Sequence, residues 1–218
     1  MTEAEWLSGT DPVALLAALE GRGTDRQFRL FAVAACYLCR KPGRAAARKP
    51  RKRAIFESVV NYVDGTGTLD EVLTHWSGGD GAWPQRPFVW AHTFAQDAVR
   101  RERGYSDFPQ PAELVPLVRC VFGNPFRPVA FDPRWRTDTA VLLAKQMYDG
   151  REFGAMPILA DALQDAGCED EQVLNHCRDT AQKHVRGCWV CDSVLGRAEF
   201  ARKSARRGTA RRGAASVD

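Results

Sequence analysis

Cysteine and histidine side chains, which can bind a metal, are concentrated in one stretch of this sequence. The 218 residues contain seven cysteines and four histidines, and six of these eleven residues lie between Met156 and Gly196. They are Cys168, His176, Cys177, His184, Cys188 and Cys191. Thiolate sulfur and imidazole nitrogen are ligands that zinc prefers in proteins, so the chemistry suggested by this stretch is zinc binding.

The spacing of these residues allows a zinc site but does not require one. A helix over roughly 184–195 would place His184, Cys188 and Cys191 on one face, because positions i, i+4 and i+7 share a face. Cys177 or His176 from the preceding helix would then complete a tetrahedral set. The predicted ligands are Cys177, His184, Cys188 and Cys191.

The alternative interpretation is packing, with the cysteines in the core and the histidines capping or hydrogen-bonding helix ends. Zinc ligands usually come in tight pairs on turns, whereas a helix holds neighbouring ligands about 5–6 Å apart. Packing is therefore the favoured interpretation. No cofactor is predicted, and zinc is the alternative.

A thiol nucleophile is a further alternative, because His184 and Cys188 form an i, i+4 pair. Thiolate catalysis needs an exposed, activated sulfur and usually an orienting third group. The sequence contains no nucleophile elbow, phosphate-binding glycine loop or dinucleotide fingerprint. The Cys36–Cys39 pair falls within a predicted helix, not at a helix N-terminus where a redox pair lies. A thiol-dependent enzyme is therefore a distant alternative to a non-enzymatic protein.

The elements that position these residues are predicted to be helical almost throughout, which indicates an all-α fold of short helices in hairpins. Asp11 before Pro12, and Thr68 three residues before Glu71, are typical helix starts. Apolar residues recur at helical spacing, and we expect them to pack in the core. Leu142 and Ile158 are two of these residues. The predicted helices cover roughly 12–20, 25–38, 52–64, 69–76, 84–101, 115–122, 138–148, 157–166, 170–178 and 184–195.

Two segments interrupt this helical pattern. Residues 123–136 contain three prolines and are predicted to form an irregular Pro-rich strap. The turn-rich linker 104–111 is the predicted boundary between an N-terminal helical subdomain, 1–103, and a C-terminal one, 111–196. Residues 197–218 form a basic tail, which we expect to be flexible.

The charge of the chain is unevenly distributed. Arg40–Arg53 carries eight basic residues and no acidic one, and Arg197–Arg212 carries seven basic residues and one acidic one. The remaining 16 basic and 26 acidic residues give a net charge of −10. Basic runs neutralise phosphates on nucleic acid, although a solvated linker and tail have the same composition. The predicted residues for non-specific nucleic-acid binding are Arg48, Lys49, Arg51, Lys52, Arg53, Arg206 and Arg207.

Composition also bounds the compartment and the partners. An odd number of cysteines and an acidic N-terminus without signal-peptide features favour reduced thiols in the cytoplasm. No run of apolar residues reaches the roughly 18 that a membrane span needs, so no membrane association is predicted. Trp76 and Trp83, near a glycine-rich loop, can belong to a surface for an unknown protein partner or to ordinary packing.

Several blocks of the sequence resemble a group of uncharacterised paralogous bacterial proteins that is abundant in planctomycetes. The similar blocks are MTEAEWLSGTDPVALLAAL and DRQFRLFAVAAC at the start, FGNPFRPV in the middle, and PILADALQDAGC, HCR and HVRGCW near the end. The resemblance spans most of Met1–Gly196 and implies no activity, substrate or cofactor. It implies an apolar residue at Cys191, and the basic segment and tail depart from it.

These observations favour a non-enzymatic cytoplasmic interaction or regulatory module. The second hypothesis is a zinc-stabilised helical protein that binds nucleic acid through its basic segments. A thiol-dependent enzyme that uses the His184–Cys188 pair is the third.

Overall fold

The chain folds into α-helices joined by turns, as predicted. The computed structural model describes residues 1–38, 50–75, 86–100 and 109–197. These ranges contain eleven α-helices, one short 3-10 helix and no strand, which confirms the all-α fold class. Within the same ranges, no helix is long and apolar enough to cross a membrane. The chain divides into two units, Met1–Phe126 and Arg127–Asp218.

The first unit is organised around one long helix. Its helices, over the described residues, are α1 (Glu3–Ser8), α2 (Pro12–Ala17), α3 (Asp25–Leu38), α4 (Pro50–Val63), α5 (Leu69–His75), α6 (Pro87–Arg100) and α7 (Pro111–Phe122). Helix α3 packs against α4, α6 and α7, while α2 packs against α6 and α7. The side chains of Phe28 and Phe31 on α3 are buried, and the Phe28 ring centroid lies 4.9 Å from that of Phe122. Aromatic and aliphatic burial therefore holds this unit together.

Local capping explains where several of these helices begin. Asp11 caps α2 by accepting a 2.9 Å hydrogen bond from the Val13 N–H, as its position before Pro12 predicts. Thr68 and Glu71 form the predicted capping box, in which the Thr68 N–H donates to the Glu71 carboxylate at 2.9 Å. Helix α1 is not among the predicted helices, although Thr2 and Glu5 form the same reciprocal pair.

Helix α7 starts earlier than predicted and packs with the first unit. It begins at Pro111 instead of Val115, and the Gln110 N–H donates to the Glu113 carboxylate at 2.7 Å. The Arg119 guanidinium donates to the carbonyls of Trp6 and Gly9 at 2.8 and 2.7 Å. The division between the units therefore follows Phe126, later than the 104–111 linker, because α7 packs against α2 and α3.

The segment 123–136 is the irregular Pro-rich strap that its prolines predict. In the first unit, Gly123 adopts a φ of +63° that ends α7, and the Asn124 side chain accepts a 3.0 Å hydrogen bond from the Phe126 N–H. The part of this segment that belongs to the second unit, 127–136, contains one regular element, the 3-10 helix Pro133–Trp135, which Asp132 caps.

The second unit contains four α-helices in its described residues, 127–197. They are α8 (Asp138–Gly150), α9 (Met156–Asp165), α10 (Glu171–Arg178) and α11 (Trp189–Val194). Helix α9 packs against α8 and α10, and α11 packs against α8 and α10. Two predicted packing residues are not in the core: Leu142 is 57% exposed and Ile158 is 58% exposed. Both lie on outward faces of α8 and α9, because the helices packed against α8 and α9 cover their other sides, where Ala140, Ala144, Leu159 and Leu163 are buried.

The predicted helix over 184–195 is wrong at its start. Residues 184–188 form a loop and a turn, and α11 begins only at Trp189. The Cys188 N–H donates to the Val185 carbonyl at 2.9 Å, and Gly187 adopts a φ of +96°. A residue with positive φ does not continue a right-handed helix, so the chain must turn at Gly187 before α11 starts.

Candidate metal centre

Three side chains of the second unit converge at the junction between α10 and α11. They are His176 in the last turn of α10, His184 in the loop that follows, and Cys188, the N-cap residue of α11. Their ligand atoms all lie within 4.8 Å of one another. The arrangement is thus a cluster of two imidazoles and one thiol.

The chain between these residues is folded back by local turns. Helix α10 ends at Arg178, and the Asp179 carboxylate accepts a 2.9 Å hydrogen bond from the Ala181 N–H, which starts the turn. A second turn, closed by Cys188 and Val185, brings the chain into α11. These turns return the chain towards the end of α10, so that His184 and Cys188 face His176.

The distances within the cluster match those of a tetrahedral zinc site. His176 Nε2 lies 3.3 Å from Cys188 Sγ, and His184 Nδ1 lies 3.9 Å from the same sulfur. Tetrahedral zinc, with Zn–S about 2.3 Å and Zn–N about 2.1 Å, separates sulfur from nitrogen by about 3.6 Å. The two observed separations lie on either side of this value. Each differs from it by about 0.3 Å.

The surroundings of the cluster are mostly enclosed. The Cys188 side chain is fully buried, and both histidines are partly buried. The two imidazole rings meet edge to face with centroids 4.9 Å apart, and the Trp189 ring lies 5.4 Å from that of His176. Packing of this kind fixes the ring orientations, which a metal site requires.

The structure brings together two of the four predicted zinc ligands, His184 and Cys188. They do not share a helix face, because His184 precedes α11 in the loop. The third member of the cluster is His176, the predicted alternative to Cys177. The turn at Gly187 is visible in the sequence as a glycine inside the supposed helix, where it would cost about 1 kcal/mol relative to alanine.

The other two predicted ligands have core environments. The Cys191 thiol is fully buried and donates to the Met156 sulfur at 3.6 Å. The Cys177 thiol is also buried, and desolvation, followed by the neighbouring Cys188 and Cys168, raises its pKa far above the ordinary range. A neutral thiol in an apolar site behaves as a small hydrophobic side chain.

The thiol-enzyme hypothesis meets a physical difficulty at Cys188. His176 lies within contact of the Cys188 sulfur, which resembles the pairing of a base with a nucleophile. A reactive cysteine is, however, partly exposed so that a substrate can reach the sulfur. The Cys188 side chain is 0% exposed, which suits a metal ligand better.

Most of the predicted nucleic-acid residues fall outside the described part of the chain. Arg48, Lys49, Arg206 and Arg207 lie outside it, as do Cys39, Trp76 and Trp83. Arg51, Lys52 and Arg53 belong to the first turn of α4, but their side chains are not among those described. Nucleic-acid binding through these residues stays a prediction.

Comparison with known proteins gives no further information on the site. The chain matches no protein-family model, no curated protein and no solved structure.

Proposed function

We propose that this protein binds zinc and that the ion, held by His176, His184 and Cys188, fastens the end of α10 to the start of α11. The observation that carries this proposal is the convergence of two imidazole nitrogens and one sulfur within 4.8 Å. The mixture of imidazole and thiolate favours zinc over magnesium or calcium, which prefer oxygen ligands.

The proposed role of zinc is structural. Helix α11 has six residues, too few to be stable by itself, and the loop between α10 and α11 is held by isolated turn hydrogen bonds. A zinc ion would cross-link His176 to Cys188 and add its binding free energy to that of folding. The buried Cys188 sulfur supports this structural role.

The test is a metal-binding measurement with two matched cysteine variants. Cys188→Ala removes the sulfur of the cluster, and Cys191→Ala removes a sulfur that is equally buried and three residues away. We expect the wild-type protein and Cys191→Ala to bind one zinc ion, and Cys188→Ala to bind it at least tenfold more weakly. Titration against a chelator of known affinity, with elemental analysis of the purified protein, measures this difference.

The outcome separates this proposal from the ligand set predicted from sequence. Equal loss of zinc from Cys188→Ala and Cys191→Ala would favour a set that includes Cys191. A wild-type protein that binds no zinc would refute the proposal. X-ray absorption of the zinc-loaded full-length protein then counts the sulfur ligands, and serine replacement of each cysteine identifies any sulfur beyond Cys188.

A further inference from the structure

A tyrosine of the second unit lies at the centre of a polar cluster. This cluster is next to the loop 179–188, which carries His184 and Cys188 and which we call the metal loop. Tyr148, in the last turn of α8, is fully buried, and its hydroxyl donates a 2.7 Å hydrogen bond to the Asp192 carboxylate. Asp192 belongs to α11 and is 5% exposed. A carboxylate this deeply buried must be stabilised by hydrogen bonds and positive charge.

Two guanidinium groups supply positive charge at the ring of the same tyrosine. The Arg186 guanidinium carbon lies 4.9 Å from the centre of the Tyr148 ring, and that of Arg197 lies 4.2 Å from it. A planar guanidinium stacks on an aromatic face, and the attraction strengthens where water is excluded. Both cations also lie near Asp149 at the C-terminal end of α8, where the helix dipole favours positive charge.

The position of Arg186 in the chain connects this cluster to the metal. Arg186 lies between the ligands His184 and Cys188 and forms part of the turn that Val185 and Cys188 close. The Asp192 N–H donates to the Cys188 carbonyl at 2.8 Å, so Asp192 lies one helical turn after the sulfur ligand. Tyr148 thus contacts the metal loop through Arg186 and α11 through Asp192.

From this arrangement we propose that Tyr148 is a positioning residue of the metal centre. Its ring fixes Arg186 and with it the turn between His184 and Cys188, and its hydroxyl fixes the first turn of α11. The contacts of Tyr148 with Arg186 and Asp192 therefore hold His184 and Cys188 in place before the metal binds. Groups that orient metal ligands in this way typically contribute about 10–100-fold to metal affinity. The proposal rests on the zinc-binding function proposed above.

The experiment compares two Arg–Tyr stacks of the same protein. Tyr148→Phe keeps the ring and removes the hydroxyl, and Arg186→Lys keeps the charge and removes the planar group. Tyr62→Phe and Arg29→Lys make the same changes in the first unit, where Arg29 stacks on Tyr62 at 5.1 Å. Zinc affinity is measured for all four full-length variants, together with the visible absorption of the cobalt-loaded proteins.

We expect Tyr148→Phe and Arg186→Lys to weaken zinc binding by about tenfold, the lower end of the range for such groups. The cobalt absorption bands should shift as well, because the ligand geometry changes, whereas a purely structural role would lower the melting temperature without moving them. Tyr62→Phe and Arg29→Lys should leave affinity and spectrum unchanged.

Unchanged affinity and spectrum in Tyr148→Phe and Arg186→Lys would overturn the positioning role, whatever happens to their melting temperatures. Equal weakening in Tyr62→Phe and Arg29→Lys would overturn it too, since the effect would then reflect general stability. If the wild-type protein binds no zinc, the proposed function itself fails. That result differs from one in which the wild-type protein binds zinc and Tyr148→Phe binds it equally tightly.

Discussion

The two units of this protein rely on different stabilising interactions. In the first unit, helices of 12 to 14 residues bury aromatic and aliphatic side chains against α3. In the second unit, the segment from α10 to α11 consists of helices of eight and six residues joined by a loop. That segment brings together two partly buried imidazoles, a buried thiol and a buried carboxylate.

The difference shows what each unit needs in order to stay folded. Apolar burial is sufficient for long amphipathic helices, because each buried side chain contributes about 1.5–3 kcal/mol. A six-residue helix gains little from its own hydrogen bonds, and polar groups in its interior cost free energy unless they are paired. The second unit also buries apolar side chains, but its segment from α10 to α11 adds polar pairing and, in our proposal, a metal.

Removal of zinc should destabilise the second unit much more than the first, and this is the largest difference that we expect between them. If zinc is present at about 1,000 times its dissociation constant, its loss costs the folded state about 4 kcal/mol. Hydrogen exchange measured before and after chelation should show amides of α10 and α11 losing protection, while those of α3 and α7 keep theirs. Equal loss in α3 would show that the two units do not differ in this way.

Truncation of a core side chain in the first unit should lower the stability of the protein without changing its zinc binding. Leu117 on α7 is 1% exposed, and Leu117→Ala should lower the free energy of unfolding by about 3 kcal/mol through lost burial and a cavity. Denaturant titration measures the loss, and zinc stoichiometry should not change. Leu142→Ala is the matched control, because its side chain is 57% exposed, and its effect should stay within about 0.5 kcal/mol.

A smaller effect is expected at the end of α11. Gly196 has a φ of +70°, and a Cβ there would lie 2.3 Å from the guanidinium of Arg136, whose Nε donates to the Val194 carbonyl at 2.9 Å. Gly196→Ala should therefore cost about 1–2 kcal/mol, from backbone strain and displacement of Arg136.

The matched control for this substitution is Gly150→Ala at the end of α8. Apart from its chain neighbours and the backbone of its own helix, no atom lies within 4 Å of a Cβ at Gly150, and its φ is not in the left-handed region. Alanine there should be neutral or should stabilise by up to about 1 kcal/mol. Thermal unfolding of both variants tests the contrast, and equal destabilisation would mean that Arg136 and the positive φ are unimportant.

Much of the helical architecture could be predicted from short-range signals. Asp11 before Pro12, the Thr68–Glu71 pair and Gly123 determine helix ends through contacts within four residues, so the sequence alone reveals them. The same kind of signal is present at Thr2 and Glu5, where a capping box starts α1. The outward orientation of Leu142 and Ile158 was not predictable, because it depends on which neighbouring helices cover each face.

The metal centre shows the limit of predictions from periodicity. The i, i+4 spacing of His184 and Cys188 suggested one helix, but Gly187 adopts a positive φ and makes the segment a turn. The two side chains do lie close together, but through a turn and not through a shared helix face. Their approach to His176 depends on the turns at Asp179 and Gly187 together, which no single periodic pattern encodes.

The distance along the sequence between contacting residues differs between the two units, and this affects the order in which they fold during synthesis. Arg119 contacts Trp6 across 113 residues, and Gln27 contacts Val121 across 94, so α1 and α3 lack these contacts until α7 has been made. His176 and Cys188 are 12 residues apart, and closing so short a loop costs little entropy. The first unit must therefore wait for distant residues, whereas the metal loop can close as soon as its own residues have been synthesised.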